Sequence, residues 1–254
     1  MRLLVSVRSP DEVAAALGGG ADIVDAKDPA RGALGPVAAD VLAAIDERVP
    51  VHVPLSVALG DAGSAERVNA VVSALRIRRW ATAYVKLAFD ALCGVSELLP
   101  LLRAAAAASA RHAACPRLIA VAYADAGRAA QAVLRAAQQA GAAGILLDTA
   151  AKDGRTLLDF WSESLLRDWV RAGRAAGLEV ALAGSIGLRD LARVVALEPD
   201  IIGVRGAACT GGRAGSVEAV RVRALRALLP MEPAAIAANH ETRATGYPQQ
   251  SISK

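Results

Sequence analysis

Short β-rich apolar runs alternate with helical segments along nearly the whole chain, and this alternation limits the fold more than any other feature of the sequence. Eight runs occur, at residues 3–7, 23–27, 51–58, 84–89, 118–123, 144–148, 180–186 and 201–205. The segments between them carry apolar residues at the spacing of amphipathic helices. Strict alternation of strand and helix predicts a parallel sheet whose strands are joined by helical crossovers.

The length of the chain favours a closed sheet. It has 254 residues, and a barrel of eight strand–helix units takes about 250. We therefore predict an α/β fold with a single (β/α)8 TIM barrel over residues 1–230, rather than an open doubly wound sheet. From Met231 onward the periodicity vanishes and polar residues dominate, which predicts a flexible tail over residues 231–254.

Several local signals predict where helices and loops begin and end. Ser9-Pro10-Asp11-Glu12 matches a capping box with proline at the first helical position, and the glycines at 18–20 are expected to end that helix. Pro100 lies inside a helical pattern and is expected to start or kink its helix. Gly211 and Gly212 predict a flexible loop before the last helix.

Composition and charge exclude several classes of protein. The net charge is +4 and aromatic residues are only 3%, and the arginines are spread along helices beside Asp and Glu rather than clustered as in nucleic-acid-binding proteins. The three cysteines have no metal-ligand spacing, and no dinucleotide motif occurs, so we expect neither a metal nor another cofactor. With no apolar run long enough to span a membrane and an early charged start, we expect a cytoplasmic protein. The sequence leaves its oligomeric state open, homo-oligomer included.

Lysine is rare in this chain, and its positions are the strongest functional signal. Of 29 lysine and arginine residues only four are lysine: Lys27, Lys86, Lys152 and the last residue, Lys254. The first three fall at or just beyond the ends of the second, fourth and sixth predicted strands, where barrel enzymes carry their active sites. Arginine stays protonated, whereas a desolvated lysine can lose its proton and attack a carbonyl. We therefore predict a shared site of three lysines; surface lysines in loops are the alternative.

Two carboxylates accompany these lysines. Asp25 lies two residues before Lys27, on the same face of its strand, and Asp148 ends the sixth strand, four residues before Lys152. A nearby carboxylate favours the ammonium form of a lysine, whereas neighbouring lysines lower each other's pKa. Such a site can keep one amine as a nucleophile and another as a proton shuttle. Structural ion pairs are the alternative for each aspartate.

Glycine-rich loops follow the last two predicted strands, and in many barrels these loops form a phosphate site. Because glycine lets backbone N–H groups approach an anion, the candidate phosphate-binding residues are Gly184, Ser185, Gly187, Arg205, Gly206 and Ala207. Ser185 would add a hydroxyl, and Arg205 would add charge if its side chain faces the barrel mouth. Tight turns without a ligand are the alternative.

Together these segments resemble a known family. LLVSV, GGADIVDAKDPARGALG, YVKLAF, LLDTAAKDGRTLLDF, AGSIG and GVRGAAC look like 4-(hydroxymethyl)-2-furancarboxaldehyde-phosphate synthase, also called (5-formylfuran-3-yl)methyl phosphate synthase. The resemblance runs from about Leu3 to Leu229, and its most specific part is DAKDP with the glycines that follow it.

The resemblance implies an activity. Two molecules of glyceraldehyde 3-phosphate condense to a phosphorylated furan aldehyde with loss of one phosphate and water, and the product is a precursor of methanofuran-type one-carbon carriers. It also implies that Lys27 forms the Schiff base, that Lys86 accepts a proton, and that Asp25, Asp148 and Lys152 support catalysis. Another Schiff-base phosphosugar aldolase and a non-catalytic barrel that binds a phosphorylated metabolite are the competing interpretations.

Overall fold

The computed structural model is a closed barrel of eight parallel strands, as predicted. It describes residues 1–75, 83–89, 95–111, 116–127 and 129–230, so the predicted tail at 231–254 lies outside the described residues. The strands are β1 (Arg2–Val7), β2 (Ile23–Ala26), β3 (Leu55–Ala62), β4 (Ala83–Phe89), β5 (Arg117–Tyr123), β6 (Gly144–Asp148), β7 (Glu179–Leu182) and β8 (Ile201–Val204). Each strand pairs with the next along the chain, and β1 pairs with β8 to close the barrel.

Helices occupy the crossovers between the strands. They are α1 (Asp11–Gly18), α2 (Ala39–Arg48), α3 (Ala65–Ala74), α4 (Val95–Ala110), α5 (Ala129–Ala140), α6 (Leu157–Phe160), α7 (Glu163–Ala175), α8 (Leu188–Val195) and α9 (Ala219–Arg226). Their apolar sides and the outward faces of the strands form a mainly aliphatic core. No helix among the described residues is long and apolar enough to cross a lipid bilayer.

The third and seventh strands have different limits from those predicted. The third begins at Leu55, because Pro54 precedes it without an N–H to donate and the N–H of Val53 donates to the Pro50 carbonyl in a turn (2.9 Å). The seventh ends at Leu182, because Gly184 and Ser185 both take positive φ angles (108° and 54°) that break an extended strand.

The start of α1 is not the predicted capping box. The helix begins at Asp11 after Pro10, which holds the N-cap position without a side-chain hydrogen bond. The Glu12 carboxylate instead accepts from the N–H of Arg8 (2.8 Å) and is buried. The helix ends at Gly18, as predicted. Pro100 lies inside α4, five residues after its first residue, rather than at its start.

Small inward-facing side chains leave the upper barrel hollow. Ser6, Asp25 and Ser56 lie side by side on β1, β2 and β3, while Ala181 and Gly203 face inward from β7 and β8. Most TIM barrels fill these layers with bulky branched side chains. The space left here is the cavity that holds the candidate site.

Candidate active site

A cavity of about 310 Å³ opens at the carboxyl ends of the strands. Its lining brings together the predicted site residues Asp25, Lys27, Lys86, Asp148, Lys152, Gly184, Ser185, Gly187, Arg205, Gly206 and Ala207. The three lysines and the glycine loops therefore face one space, although they come from five different strands or strand ends. Leu4, Ile23 and Ile201 line it deeper in the barrel.

One buried ion pair lies across the centre of the barrel. The Nζ of Lys86 lies 2.6 Å from Oδ1 of Asp25, and neither side chain is more than 3% exposed. The Ser6 hydroxyl donates to the other carboxylate oxygen of Asp25 (2.8 Å). Lys86 lies within β4 rather than at its end, so the amine is anchored on a rigid strand below the mouth.

A second carboxylate contacts the other two lysines. Oδ1 of Asp148 accepts from the Nζ of Lys152 (2.9 Å) and from the N–H of Thr149 (2.7 Å). Its Oδ2 lies 3.9 Å from the Nζ of Lys27, the longest of these lysine–carboxylate distances. Lys152 also donates to the Thr149 hydroxyl (3.0 Å). Of the three amines, Lys27 is therefore held least tightly by the carboxylates, and it lies between them.

Burial and charge shift these groups in a way that suits proton transfer. Burial lowers the pKa of Lys86, and the charge of Lys27 adds to that effect although Asp25 opposes it. Burial, opposed by Asp148, likewise lowers the pKa of Lys152. Burial alone would raise the pKa of both aspartates, but the neighbouring lysines outweigh it and hold the pKa of Asp25 and Asp148 below the usual value. The carboxylates thus stay ionised, while the ammonium groups of Lys86 and Lys152 release their protons more readily than in water.

The loops after β7 and β8 border the cavity on one side. Gly184 packs so closely that a Cβ there would lie 3.0 Å from the Thr149 methyl group. Gly187 forms the N-cap of α8, and its N–H donates to the Asp190 side chain (3.2 Å). Gly206 and Ala207 begin a short 3-10 turn. The Gly187 N–H is thus occupied by its helix cap.

Arg205 has contacts other than those expected for a phosphate ligand. Its guanidinium forms two hydrogen bonds to the Glu12 carboxylate (2.9 and 3.1 Å) and donates to the carbonyls of Ser6, Arg213 and Gly215. All five N–H donors of an arginine are used, so none remains for a substrate. The expectation that Arg205 binds phosphate is therefore wrong, because its donors go to Glu12, 193 positions away along the chain, and to three backbone carbonyls.

Several polar residues of the site were not predicted from the sequence. Ser6 and Ser56 interrupt apolar strands at inward positions, a signal that strand periodicity could have given. The Ser56 hydroxyl is buried in the cavity wall and has no hydrogen-bond partner among the described residues. Asp125 accepts from the N–H groups of Ala150 and Ala151 (2.8 and 2.7 Å) and so fixes the loop that carries Lys152. Nothing in the local sequence marks that contact.

Comparison with known proteins identifies the family. The family model described as 4-HFC-P synthase matches residues 3–226, the whole barrel apart from its first and last residues. The chain belongs to this family. The (5-formylfuran-3-yl)methyl phosphate synthase of Methanothermobacter thermautotrophicus is 34% identical over 241 residues, 90% of this chain and 99% of the relative. That of Methanopyrus kandleri is 36% identical over 234 residues, 88% and 97% of the two chains.

As a member of the 4-HFC-P synthase family, this protein is therefore an enzyme of the synthase class. Solved structures confirm its fold at low sequence identity. Phosphoribosyl anthranilate isomerase from Thermus thermophilus superposes with a TM-score of 0.59 at 18% identity, covering 90% of this chain and 98% of that one. For 3-hexulose-6-phosphate synthase from Salmonella typhimurium the TM-score is 0.57, also at 18% identity, covering 89% and 99%.

Proposed function

We propose that this enzyme condenses two molecules of glyceraldehyde 3-phosphate to (5-formylfuran-3-yl)methyl phosphate through a Schiff base on Lys27. The observation that carries the proposal is the cluster of three lysines and two ionised aspartates around one cavity. The names of the relatives supply the product. By the same reasoning the product serves the synthesis of methanofuran-type carriers.

Lys27 is the proposed nucleophile because the carboxylates hold it least tightly. Its neutral amine attacks the carbonyl carbon of the first triose phosphate and releases the oxygen as water. The resulting iminium withdraws electrons from the adjacent carbon, so the C–H bond there becomes acidic. Lys86, whose pKa is lowered chiefly by burial, then removes that proton.

The enamine formed in this way expels the phosphate from the third carbon of the first triose and leaves an enol. The enol carbon then adds to the carbonyl of the second triose phosphate in its isomeric ketone form, which makes the carbon–carbon bond. Loss of water and of one phosphate requires acids that can protonate the leaving oxygens. Lys152 is well placed for this role, because it donates to Asp148 and lies beside Lys27 across that carboxylate. The free hydroxyl of the second triose adds to the carbonyl beside the imine and closes the ring, and loss of two waters makes the furan. Hydrolysis of the imine then releases the aldehyde and restores the Lys27 amine.

The glycine loops after β7 and β8 are the proposed phosphate site. Gly184, Ser185, Gly206 and Ala207 line the cavity beside the lysines, and the corresponding loops bind phosphate in many barrels. Replacement of Gly206 by a bulky residue should weaken substrate binding while leaving the fold largely intact.

Incubation with glyceraldehyde 3-phosphate alone tests the reaction. The proposal predicts the appearance of furan absorbance and a borohydride-stable adduct on Lys27, located by peptide mass analysis. An adduct without furan would favour a phosphosugar aldolase, and an adduct on Lys86 or Lys152 would reassign the nucleophile. If no adduct forms with any triose phosphate, the Schiff-base role is wrong.

A further inference from the structure

The loop between β8 and α9 carries an arginine that the sequence analysis did not single out. Arg213 lines the same cavity as the three lysines. The charge of Arg213 helps to lower the pKa of Lys152. Burial lowers the pKa of Arg213 itself, and the charges of Asp148 and Asp28 oppose that effect. Arg213 therefore lies at the mouth, between the loop after β2 and the loop after β6.

The backbone around Arg213 is closed into a short hairpin rather than a flexible loop. Cys209 and Val217 form an antiparallel bridge, the N–H of Thr210 donates to the Ser216 carbonyl (3.0 Å), and that of Gly215 donates to Gly212 (3.0 Å). The positive φ angles of Gly211 and Gly212 (73° and 80°) make the turn. Arg213 thus lies at the tip of a hairpin fixed at both sides.

Arg205 holds this hairpin from inside the barrel. Its Nε donates to the carbonyl of Arg213 (2.9 Å), and its Nη2 donates to the carbonyl of Gly215 (3.0 Å). The guanidinium of Arg205 is itself fixed by the buried carboxylate of Glu12. The two arginines therefore have different tasks: Arg205 positions the loop, and Arg213 is the one whose donors remain available.

The Arg213 side chain has spare donors next to the glycine loop. Its only hydrogen bond among the described residues runs from Nη2 to the Gly32 carbonyl (2.7 Å), which leaves four of five N–H groups free. Its backbone N lies 3.5 Å from the position of a Cβ on Gly206, so it borders the proposed phosphate site. A planar guanidinium with free donors suits bidentate recognition of a phosphate.

We propose that Arg213 is the cationic anchor for a phosphate of the triose substrate, and that Arg205 is the residue that positions it. The inference rests on the proposed function and extends it to a residue of the phosphate site. The bond from Arg213 to Gly32 joins this anchor to the loop that follows Lys27, so the same side chain links the phosphate site to the proposed nucleophile.

The test compares Arg213→Gln with Arg31→Gln. Arg31 is a matched control, since it too is a loop arginine with one bond to a carbonyl, that of Pro36 (3.1 Å), but it does not line the cavity. Borohydride trapping on Lys27 is measured against the concentration of glyceraldehyde 3-phosphate and of glyceraldehyde, which lacks the phosphate. We expect Arg213→Gln to need about 10- to 100-fold more of the phosphorylated aldehyde, and no more of glyceraldehyde. Arg213→Lys, which keeps the charge but not the fork, should fall between.

Calorimetric titration with inorganic phosphate separates this inference from the Schiff-base proposal, because it needs no covalent step. We expect weaker phosphate binding in Arg213→Gln and unchanged binding in Arg31→Gln. If the unmodified protein forms no adduct, the Schiff-base proposal fails and the titration still decides on Arg213. Equal titrations for the two variants, or no phosphate binding by the unmodified protein, would overturn the anchor.

Discussion

The two ends of the barrel both hold charged clusters, but they are built from different cations. At the amino-terminal end, the Tyr84 hydroxyl accepts from Arg2 and Arg117 (2.9 and 3.0 Å), and both arginines pair with Glu179. At the carboxyl-terminal end, Lys27, Lys86 and Lys152 surround Asp25 and Asp148. In a chain with four lysines and 25 arginines, three of the four lysines lie at one end.

The difference teaches which end does chemistry. Arginine keeps its proton in any ordinary environment and binds through a planar fork, so it suits a permanent closure of the barrel floor. Lysine can release its proton when it is buried, and burial lowers the pKa of Lys86 and Lys152 here. A cluster that only had to balance charge could use either residue. A cluster that must supply a neutral amine can use only lysine.

Replacement of the proposed nucleophile should give the largest effect. Lys27→Arg keeps the charge but cannot form an imine, so we expect turnover to fall by about 10⁴-fold or more, as with loss of a covalent nucleophile elsewhere. Single-turnover assays of furan formation and borohydride trapping measure it. An active Lys27→Arg protein would remove the distinction between lysine and arginine on which the comparison depends.

The next largest effect should come from replacing a carboxylate, and it should differ between the two ends of the barrel. Asp148 and Asp200 are matched: each accepts from a cation (2.9 Å) and from one backbone N–H (2.7 and 2.8 Å), but only Asp148 lines the cavity. We expect Asp148→Asn to lower kcat by about 10²- to 10⁴-fold, the scale of general acid–base catalysis, and Asp200→Asn to leave kcat within about threefold. Similar losses in both variants would point to a structural role for Asp148.

Much of this arrangement could be predicted from the sequence, and the reason is periodicity. Strand–helix alternation fixes both the barrel and the end at which residues after each strand meet, so the lysines on even strands were expected to converge. Because lysine is rare among the basic residues of this chain, these lysines can be recognised from the sequence as candidate catalytic residues. The limits of β3 and β7 were less predictable, because the backbone angles at Gly184 and Ser185 and the turn at Pro50 depend on neighbouring loops.

Arg205 and Arg213 could not be told apart from the sequence. Arg205 follows a strand and a glycine, which is the pattern of a phosphate ligand, yet the Glu12 carboxylate on a distant helix takes its donors. The local pattern around Glu12 predicts a capping box. The long-range ion pair between Glu12 and Arg205 therefore contradicts two predictions from local sequence, the capping box and the phosphate-binding role of Arg205. Arg213 is one of 25 arginines, and no motif in the neighbouring sequence distinguishes it from the others.

The pH dependence of the rate gives an intermediate effect. Lys86 must be neutral to accept a proton, so kcat should rise with pH as its ammonium group loses its proton. Burial places that pKa below the usual 10.5. The charge and hydrogen bond of Asp25 favour the ammonium form, so Asp25→Asn should move this rise to lower pH. Each pH unit of displacement changes the neutral fraction by at most about tenfold, and a pH–rate profile measures it. A rise that moves to higher pH would contradict this role for Lys86.

The smallest effect is expected at the barrel floor, from the reverse exchange of cations. The Arg117 side chain is about half exposed, pairs with Glu179 at 3.3 Å and lies 5.0 Å from the centre of the Tyr84 ring. In Arg117→Lys an ammonium can replace one of these contacts but not the fork, and exposed ion pairs contribute about 1 kcal/mol or less. For a barrel of this size that lowers Tm by about 2 to 4 °C at most, and kcat should stay within about twofold. Thermal unfolding and the furan assay on the same preparation measure both. Because Tyr84 and Glu179 also border the lower end of the cavity, a large loss of kcat without a change in Tm would mean that the floor takes part in substrate binding, and the separation of the two ends would then be wrong.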